Sequence, residues 1–178
     1  MENKTRISRI FLKILWDIFS VTIPALLIAL FVNVYVVEAV EIEMGSSMEP
    51  NMYVGYRVMT EKISYRFRDP QRGEVVVADV PDMEAGLIKR VVALPGEVFA
   101  VREGHTYING ERLDEPWVTH IGGRDYSTSV VPEGHIFIVG DNRVASRDSL
   151  VIVPIPLEDV TRRAWLIYWP LNEFEILP

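Results

Sequence analysis

A mainly β protein carrying one N-terminal membrane-spanning helix is the fold the sequence predicts, and three observations predict it. Residues 18–37, IFSVTIPALLIALFVNVYVV, contain no charge. Roughly twenty apolar residues rising 1.5 Å each match a hydrocarbon core of about 30 Å. Beyond residue 38, short runs rich in branched and aromatic residues recur, each bounded by Gly, Pro or Asp. Among them, Asn109-Gly110 separates Thr106-Tyr107-Ile108 from Glu111-Arg112-Leu113, a strong two-residue hairpin signal.

Three segments follow in order: a basic tail over 1–17, an anchor over 18–37 and an antiparallel, barrel-like β domain over 38–178. Lys4, Arg6, Arg9 and Lys13 precede the apolar run against only Glu2 and Asp17, which keeps the N-terminus cytoplasmic and puts the β domain outside. Trp16 and Tyr35 fall where interfacial aromatics belong, and a membrane helix tolerates Pro24 and Asn33. Val37-Glu38-Ala39 also offers small residues spaced as in a cleaved signal peptide, but the apolar run exceeds the usual length of a signal-peptide core. An uncleaved anchor is the expectation. Past it, Val75–Val77, Ile88–Leu94, Val98–Val101, Ile136–Val139 and Trp165–Trp169 read as strands, and Arg72-Gly73 and Pro95-Gly96 as turns. Residues 157–163 suit a short helix, and the polar stretch Thr119–Val131 a flexible loop.

Composition narrows the function. The 178 residues carry a net charge of −7 and no cysteine. No basic patch stands out, so a nucleic-acid partner is not expected. Disulfides, thiolate catalysis and cysteine-ligated metals are excluded.

Chemistry concentrates in three places. Ser47-Met48-Glu49-Pro50 lies about ten residues beyond the apolar run, beside Gly45, whose backbone freedom helps aim an N–H at an oxyanion. A serine hydroxyl needs a neighbour to take its proton. None of His105, His120 and His135 belongs to a distinctive motif. Past the anchor the only lysines are Lys62, in a polar run, and Lys89, within the strand-like Leu87–Leu94. Strand alternation allows Lys89 to face solvent, yet Arg90 would then be buried with Ile88, so alternation leaves both arrangements open. A buried lysine would have a lowered pKa and could accept the serine proton. The third place, Gly140-Asp141-Asn142-Arg143 through Ser146, Asp148 and Ser149, is dense in small polar groups. Ser146 could orient the amine there, with Asp141, Asn142 and Asp148 bracing the loop.

These segments resemble the boxes of bacterial type I signal peptidases (leader peptidases). The serine box S-M-x-P is matched by Ser47, Met48 and Pro50. The lysine box is matched by Lys89, Arg90, Pro95 and Gly96, and the third box from Gly140 through Ser149, with Asn142, Arg143 and Asp148 in place. Arg72-Gly73-Glu74-Val75-Val76 resembles a further family strand. Ala93, Glu97 and Leu150 depart from the usual glycine, aspartate and arginine.

The resemblance implies a nucleophile at Ser47, a general base at Lys89, oxyanion support at Gly45 and Ser47, and an orienting hydroxyl at Ser146. It implies no metal and no cofactor. Its substrates would be exported preproteins with small residues at −3 and −1, accommodated by shallow pockets near Met44, Met48, Met52, Leu87 and Ile88. Trp165 and Trp169 could rest on lipid or pack in the core. Competing readings are a self-cleaving serine–lysine regulator, a processing peptidase of narrow range, and a tethered binding domain with a decayed site.

Overall fold

A computed structural model describes residues 2–81, 86–122, 125–145 and 154–178. The chain separates into two compact units, Met1–Val37 and Glu38–Pro178.

The first unit is a single helix, α1, spanning Glu2–Tyr35. It runs on through the basic residues that the sequence reading kept apart as a tail, because no glycine or proline interrupts the chain before Pro24. Leu12–Tyr35, 24 residues containing an 18-residue stretch of mean hydropathy 2.2, is long and apolar enough to cross a membrane. Two of its hydroxyls bond within the helix: Ser20 Oγ donates to the Asp17 carbonyl and Thr22 Oγ1 to the Ile18 carbonyl, both at 2.9 Å. That internal pairing suits a segment surrounded by lipid, which offers no hydrogen bonds.

The second unit contains two antiparallel sheets. Its strands are β1 (Val37–Glu41), β2 (Arg57–Glu61), β3 (Val75–Ala78), β4 (Leu87–Ala93), β5 (Val98–Arg102), β6 (His105–Ile108), β7 (Glu111–Arg112), β8 (Tyr126–Val130), β9 (His135–Val139), β10 (Ile155–Pro156), β11 (Val160–Trp169) and β12 (Glu175–Ile176). The larger sheet has the order β1-β2-β11-β3-β4-β9-β10, with β12 also on β11; the smaller has the order β7-β6-β5-β8. The hairpin expected at Asn109-Gly110 joins β6 and β7, Ile108 opposite Glu111. Both turn residues have positive φ, 53° and 86°, as a two-residue hairpin of this twist demands.

Two expectations need correction. Residues 157–163 form no helix: a 3₁₀ turn at Leu157–Asp159 leads directly into β11. Val160, Thr161 and the aromatic-rich 165–169 favour an extended chain, and pairing with β2 and β3 on either side outweighs the helix-forming Leu-Glu-Asp. The stretch 119–131 is not wholly loop, since β8 pairs with β5. Its polarity is that of an edge strand with one face in water; Tyr126 turns inward to Phe99 and Phe137, at centroid distances of 5.4 and 5.3 Å.

The larger sheet is covered on both faces where β3 and β4 cross it. Val75 and Ile88 join a cluster with Ile42, Met48, Met52, Val58, Ala164, Ile167 and Leu177. Val76 and Val91 join another with Ile136, Ile138 and Val160. A third cluster around Phe99 and Phe137, stacked at 4.2 Å, unites the two sheets. A strand so placed buries every residue from its third onward, as β4 does.

Candidate active site

The serine turn is pinned from below. Gly45, at φ +88°, reverses the chain into it, and Glu49 N–H donates to Ser46 O at 3.2 Å and Met52 N–H to Met48 O at 2.9 Å. Met48 and Met52 are 4% and 1% exposed, both sunk in the core cluster beneath. Ser47 stands above them, half-buried, while Met44 is 80% exposed.

Lys89 enters from the middle of β4, opposite Val76 on β3. Only 9% of it is exposed. Its Nζ lies 2.7 Å from Ser47 Oγ and donates to the Ile88 carbonyl at 3.1 Å. Burial pushes its pKa down from the ordinary 10.5 to about 8; the Asp141 carboxylate pulls the other way and loses. Because both faces of β4 are covered, the choice that alternation left open resolves into neither alternative: Lys89 and Arg90 are both buried.

Arg90 is made tolerable by Asp141, on the loop after β9. The carboxylate, wholly buried, accepts Arg90 Nε on Oδ1 at 2.8 Å and Nη2 on Oδ2 at 2.7 Å. Arg90 Nη1 donates to the Gly73 carbonyl at 2.8 Å, and the guanidinium sits over the Trp117 ring, 4.7 Å from its centroid. The next residue, Asn142, donates its backbone N–H to Ser47 O at 2.9 Å, so the loop grips the serine turn directly. Asn142 Oδ1 caps the Ala145 N–H at 3.1 Å.

Arg143, 4% exposed, reaches the smaller sheet: it donates to the Gly140 carbonyl at 3.1 Å and to Thr106 Oγ1 at 2.9 Å, and pairs with Glu115. Ser146, Asp148 and Leu150 lie outside the described residues.

The structure thus brings Ser47, Lys89, Asp141, Asn142 and Arg143 together. Ile88 is half-buried against the cluster holding Met48 and Met52, and Leu87, also half-buried, pairs with Ala78. Lys62 is engaged elsewhere, with Glu38 at 2.6 Å. Ring nitrogens of two histidines bond locally, His120 to Thr119 and His135 to the Glu133 carbonyl.

Sequence reasoning missed Asn51, whose Nδ2 donates to Asp141 Oδ2 and to the Trp117 carbonyl, both at 2.8 Å. It also missed Trp117 and Glu115, whose partners are far away in sequence and follow no period. Glu74 was quoted only as part of a strand, yet it is a buried hub for Arg68, Tyr65 and the Gln71 N–H. These contacts hold its carboxyl below the usual range, although burial alone would raise it.

A family model described as "Signal peptidase, peptidase S26" matches residues 15–169. The chain belongs to this family. Among signal peptidase relatives, "Probable signal peptidase I-2" of Synechocystis sp. is 36% identical over 161 residues, 87% of this chain and 73% of the relative. "Signal peptidase I" of Leptolyngbya laminosa is 33% identical over 156 residues, 83% and 76% of the two chains. A crystal structure of a signal peptidase I from Enterococcus faecalis V583 is 29% identical, with a TM-score of 0.42, covering 52% of this chain and 94% of that one. As a member of the signal peptidase family, the chain is a peptidase.

Proposed function

We propose that the chain is a membrane-anchored serine endopeptidase that removes signal peptides from exported preproteins, with Ser47 as nucleophile and Lys89 as general base. The observation that carries this reading is the 2.7 Å approach of Lys89 Nζ, on a buried lysine of β4, to Ser47 Oγ on the serine turn. Neutral Lys89 takes the Ser47 proton as Oγ attacks the scissile carbonyl carbon. The N–H of Ser47 and the open backbone at Gly45 face the developing oxyanion. As the tetrahedral species collapses, Lys89 gives its proton to the departing amine, leaving an ester on Ser47. Lys89 next takes a proton from water, whose oxygen attacks the ester, and then returns that proton to Ser47 Oγ. This chemistry calls on no metal or cofactor. Ser146 is the hydroxyl that would orient the amine, with Asp148 bracing its loop.

Small residues at −3 and −1 fit pockets between the exposed Met44 and the half-buried Leu87 and Ile88, with Met48 and Met52 as a filled floor that refuses larger side chains. Leu12–Tyr35 would hold the enzyme in the cytoplasmic membrane as a single pass, N-terminus inside and the Glu38–Pro178 unit outside.

Incubation of the detergent-solubilised chain with a preprotein bearing an Ala-x-Ala site tests the reading. Cleavage after the second alanine is expected, and is expected to vanish in folded Ser47→Ala and Lys89→Ala. Cleavage that persists in either variant would sink the dyad. A parent unable to cut several preproteins favours a processing peptidase of narrow range.

Self-processing after Ala39 is expected not to occur. Residues 37–41 form β1 beside β2; the Glu38 carbonyl accepts Thr60 Oγ1 at 2.9 Å, and its carboxylate pairs with Lys62 and Arg162. Cutting there would require peeling the strand away. N-terminal sequencing of purified protein should find only the intact helix; a new terminus at Val40 would show that β1 opens.

A further inference from the structure

We propose that Asn51 is a positioning residue for the Ser47–Lys89 pair, tying the far end of the serine turn to the Asp141 carboxylate and the Trp117 carbonyl. The proposal rests on the dyad reading above. Its ground is a single side chain that spends both amide protons on acceptors from two separate segments, each at 2.8 Å.

The geometry explains what such a bridge would do. Ser47 and Asn51 stand at opposite ends of one tight turn. At the Ser47 end, the loop holds the turn through Asn142 N–H at 2.9 Å. At the other end, Asn51 holds the same loop one residue earlier, at Asp141. Asp141 in turn grips Arg90, the residue after Lys89 on β4. The turn is therefore fastened twice to one loop, and that loop to the strand that carries the base. Two attachments fix an orientation that one attachment leaves free to pivot. With the Asn142 contact alone, Ser47 Oγ could swing off Lys89 Nζ without any loss of core packing, since Met48 and Met52 would stay buried.

Trp117 closes the bracket. Its carbonyl accepts the second Asn51 proton, while its ring lies over Arg90 and within 3.7 Å of where a side chain on Gly73 would begin. The strand's arginine and the serine turn thus meet on one residue of the connection that leaves β7.

An electrostatic consequence follows. Asp141 is the charged group that raises the Lys89 pKa among the described residues, and Arg90 and Asn51 are what satisfy that carboxylate. Ser47 is the polar neighbour from the serine turn. Loss of the Asn51 amide leaves Asp141 less neutralised toward Lys89, and a loosened turn admits water. Both effects favour the ammonium, so both move the acid limb of activity to higher pH.

The experiment uses the full chain in detergent with the Ala-x-Ala preprotein. Asn51→Ala is expected to lower kcat on the order of tenfold to a hundredfold, as small misplacements of reacting groups do, with KM little changed. The acid limb should move up. Asn51→Asp, equal in shape but without the amide protons and with a carboxylate against Asp141, should be worse than Asn51→Ala at neutral pH. A residue that only fills space predicts the reverse order. Should Asn51→Asp fail to fold, Asn51→Ser, which keeps one donor, should fall between parent and Asn51→Ala. Thr60→Val, which removes a buried hydrogen bond to the Glu38 carbonyl that involves neither the serine turn nor the Asp141 loop, should lower Tm and leave the pH profile in place.

A readout free of turnover is at hand, because the chain has four lysines, Lys4, Lys13, Lys62 and Lys89. Titration of the ¹³Cε resonances should show a higher Lys89 pKa in Asn51→Ala than in the parent. Asn51 variants with lowered Tm but unchanged kcat, pH profile and Lys89 titration overturn the proposal while the dyad stands. Retained cleavage in Ser47→Ala or Lys89→Ala overturns both.

Discussion

Lys89→Met is expected to abolish cleavage and, at neutral pH, to make the protein more stable. Both effects come from one buried amine. Removing a catalytic base or nucleophile of a coupled pair commonly costs about 10⁴-fold or more, and nothing else among the described residues offers a base to Ser47. The stability gain follows from the lowered pKa. In the unfolded chain the lysine holds its proton up to an ordinary 10.5, while in the folded protein it loses it near 8. Below pH 8 both states are protonated, and the folded state bears the full cost of a buried ammonium. Between the two values the unfolded state binds more protons, so stability rises with pH. Above 10.5 the cost is gone.

The size of that cost is the pKa gap at 1.36 kcal/mol per pKa unit, about 3 kcal/mol, offset in the variant by about 1 kcal/mol for the lost bond to Ser47. Urea titration of the solubilised chain, followed by tryptophan fluorescence, should show a higher midpoint for Lys89→Met at pH 7, with a gap that closes toward pH 10.5. A midpoint at or below the parent's at pH 7 would mean that the amine is solvated. The same gap measures what catalysis gains. At neutral pH a lysine of pKa near 8 is unprotonated about 300-fold more often than one at 10.5. The parent's kcat/KM should therefore climb about tenfold per pH unit below roughly pH 7 and level off above about pH 9.

How much of this was legible in the sequence depends on the range of the interaction involved. Ser47 and Lys89 stood out because a serine beside Gly45 and a lone lysine in an apolar strand are local facts. The strands around them were readable for the same reason, since branched residues bounded by turn formers declare themselves over a few positions. Arg90 was unreadable. Its burial is permitted by Asp141, 51 residues away, so no alternation rule could separate it from Lys89. Asn51 looked like one more polar turn residue because its two acceptors, Asp141 and Trp117, come from distant loops. Residues 157–163 misled because a helix-forming triplet precedes a strand whose identity depends on neighbours at both edges. The departure at Leu150 and the roles read for Ser146 and Asp148 fall on residues outside those described.

Asp141→Ala should be the most damaging change to stability in the site. It leaves Arg90, 3% exposed in the parent, with only the Gly73 carbonyl and the Trp117 ring as partners among the described residues. An unpaired buried guanidinium of this kind typically costs about 3–5 kcal/mol, most of it the penalty of a charge without its counterion. Asn51 loses an acceptor at the same time, so the serine turn loosens along with the strand. Asp141→Asn keeps an acceptor oxygen for Arg90 and should cost less. It also removes the carboxylate that raises the Lys89 pKa, so the acid limb of whatever activity remains should move to lower pH, opposite to the shift expected for Asn51→Ala. If the penalty is electrostatic, removing both charges should relieve it: Arg90→Met combined with Asp141→Leu is expected to recover much of the stability lost in Asp141→Ala. The double variant should still cleave poorly, because the loop would hold the turn but no longer the strand. A double variant as unstable as Asp141→Ala would instead place the loss in packing around Trp117, and would make the ion pair a passenger of the fold rather than the clasp between serine and lysine.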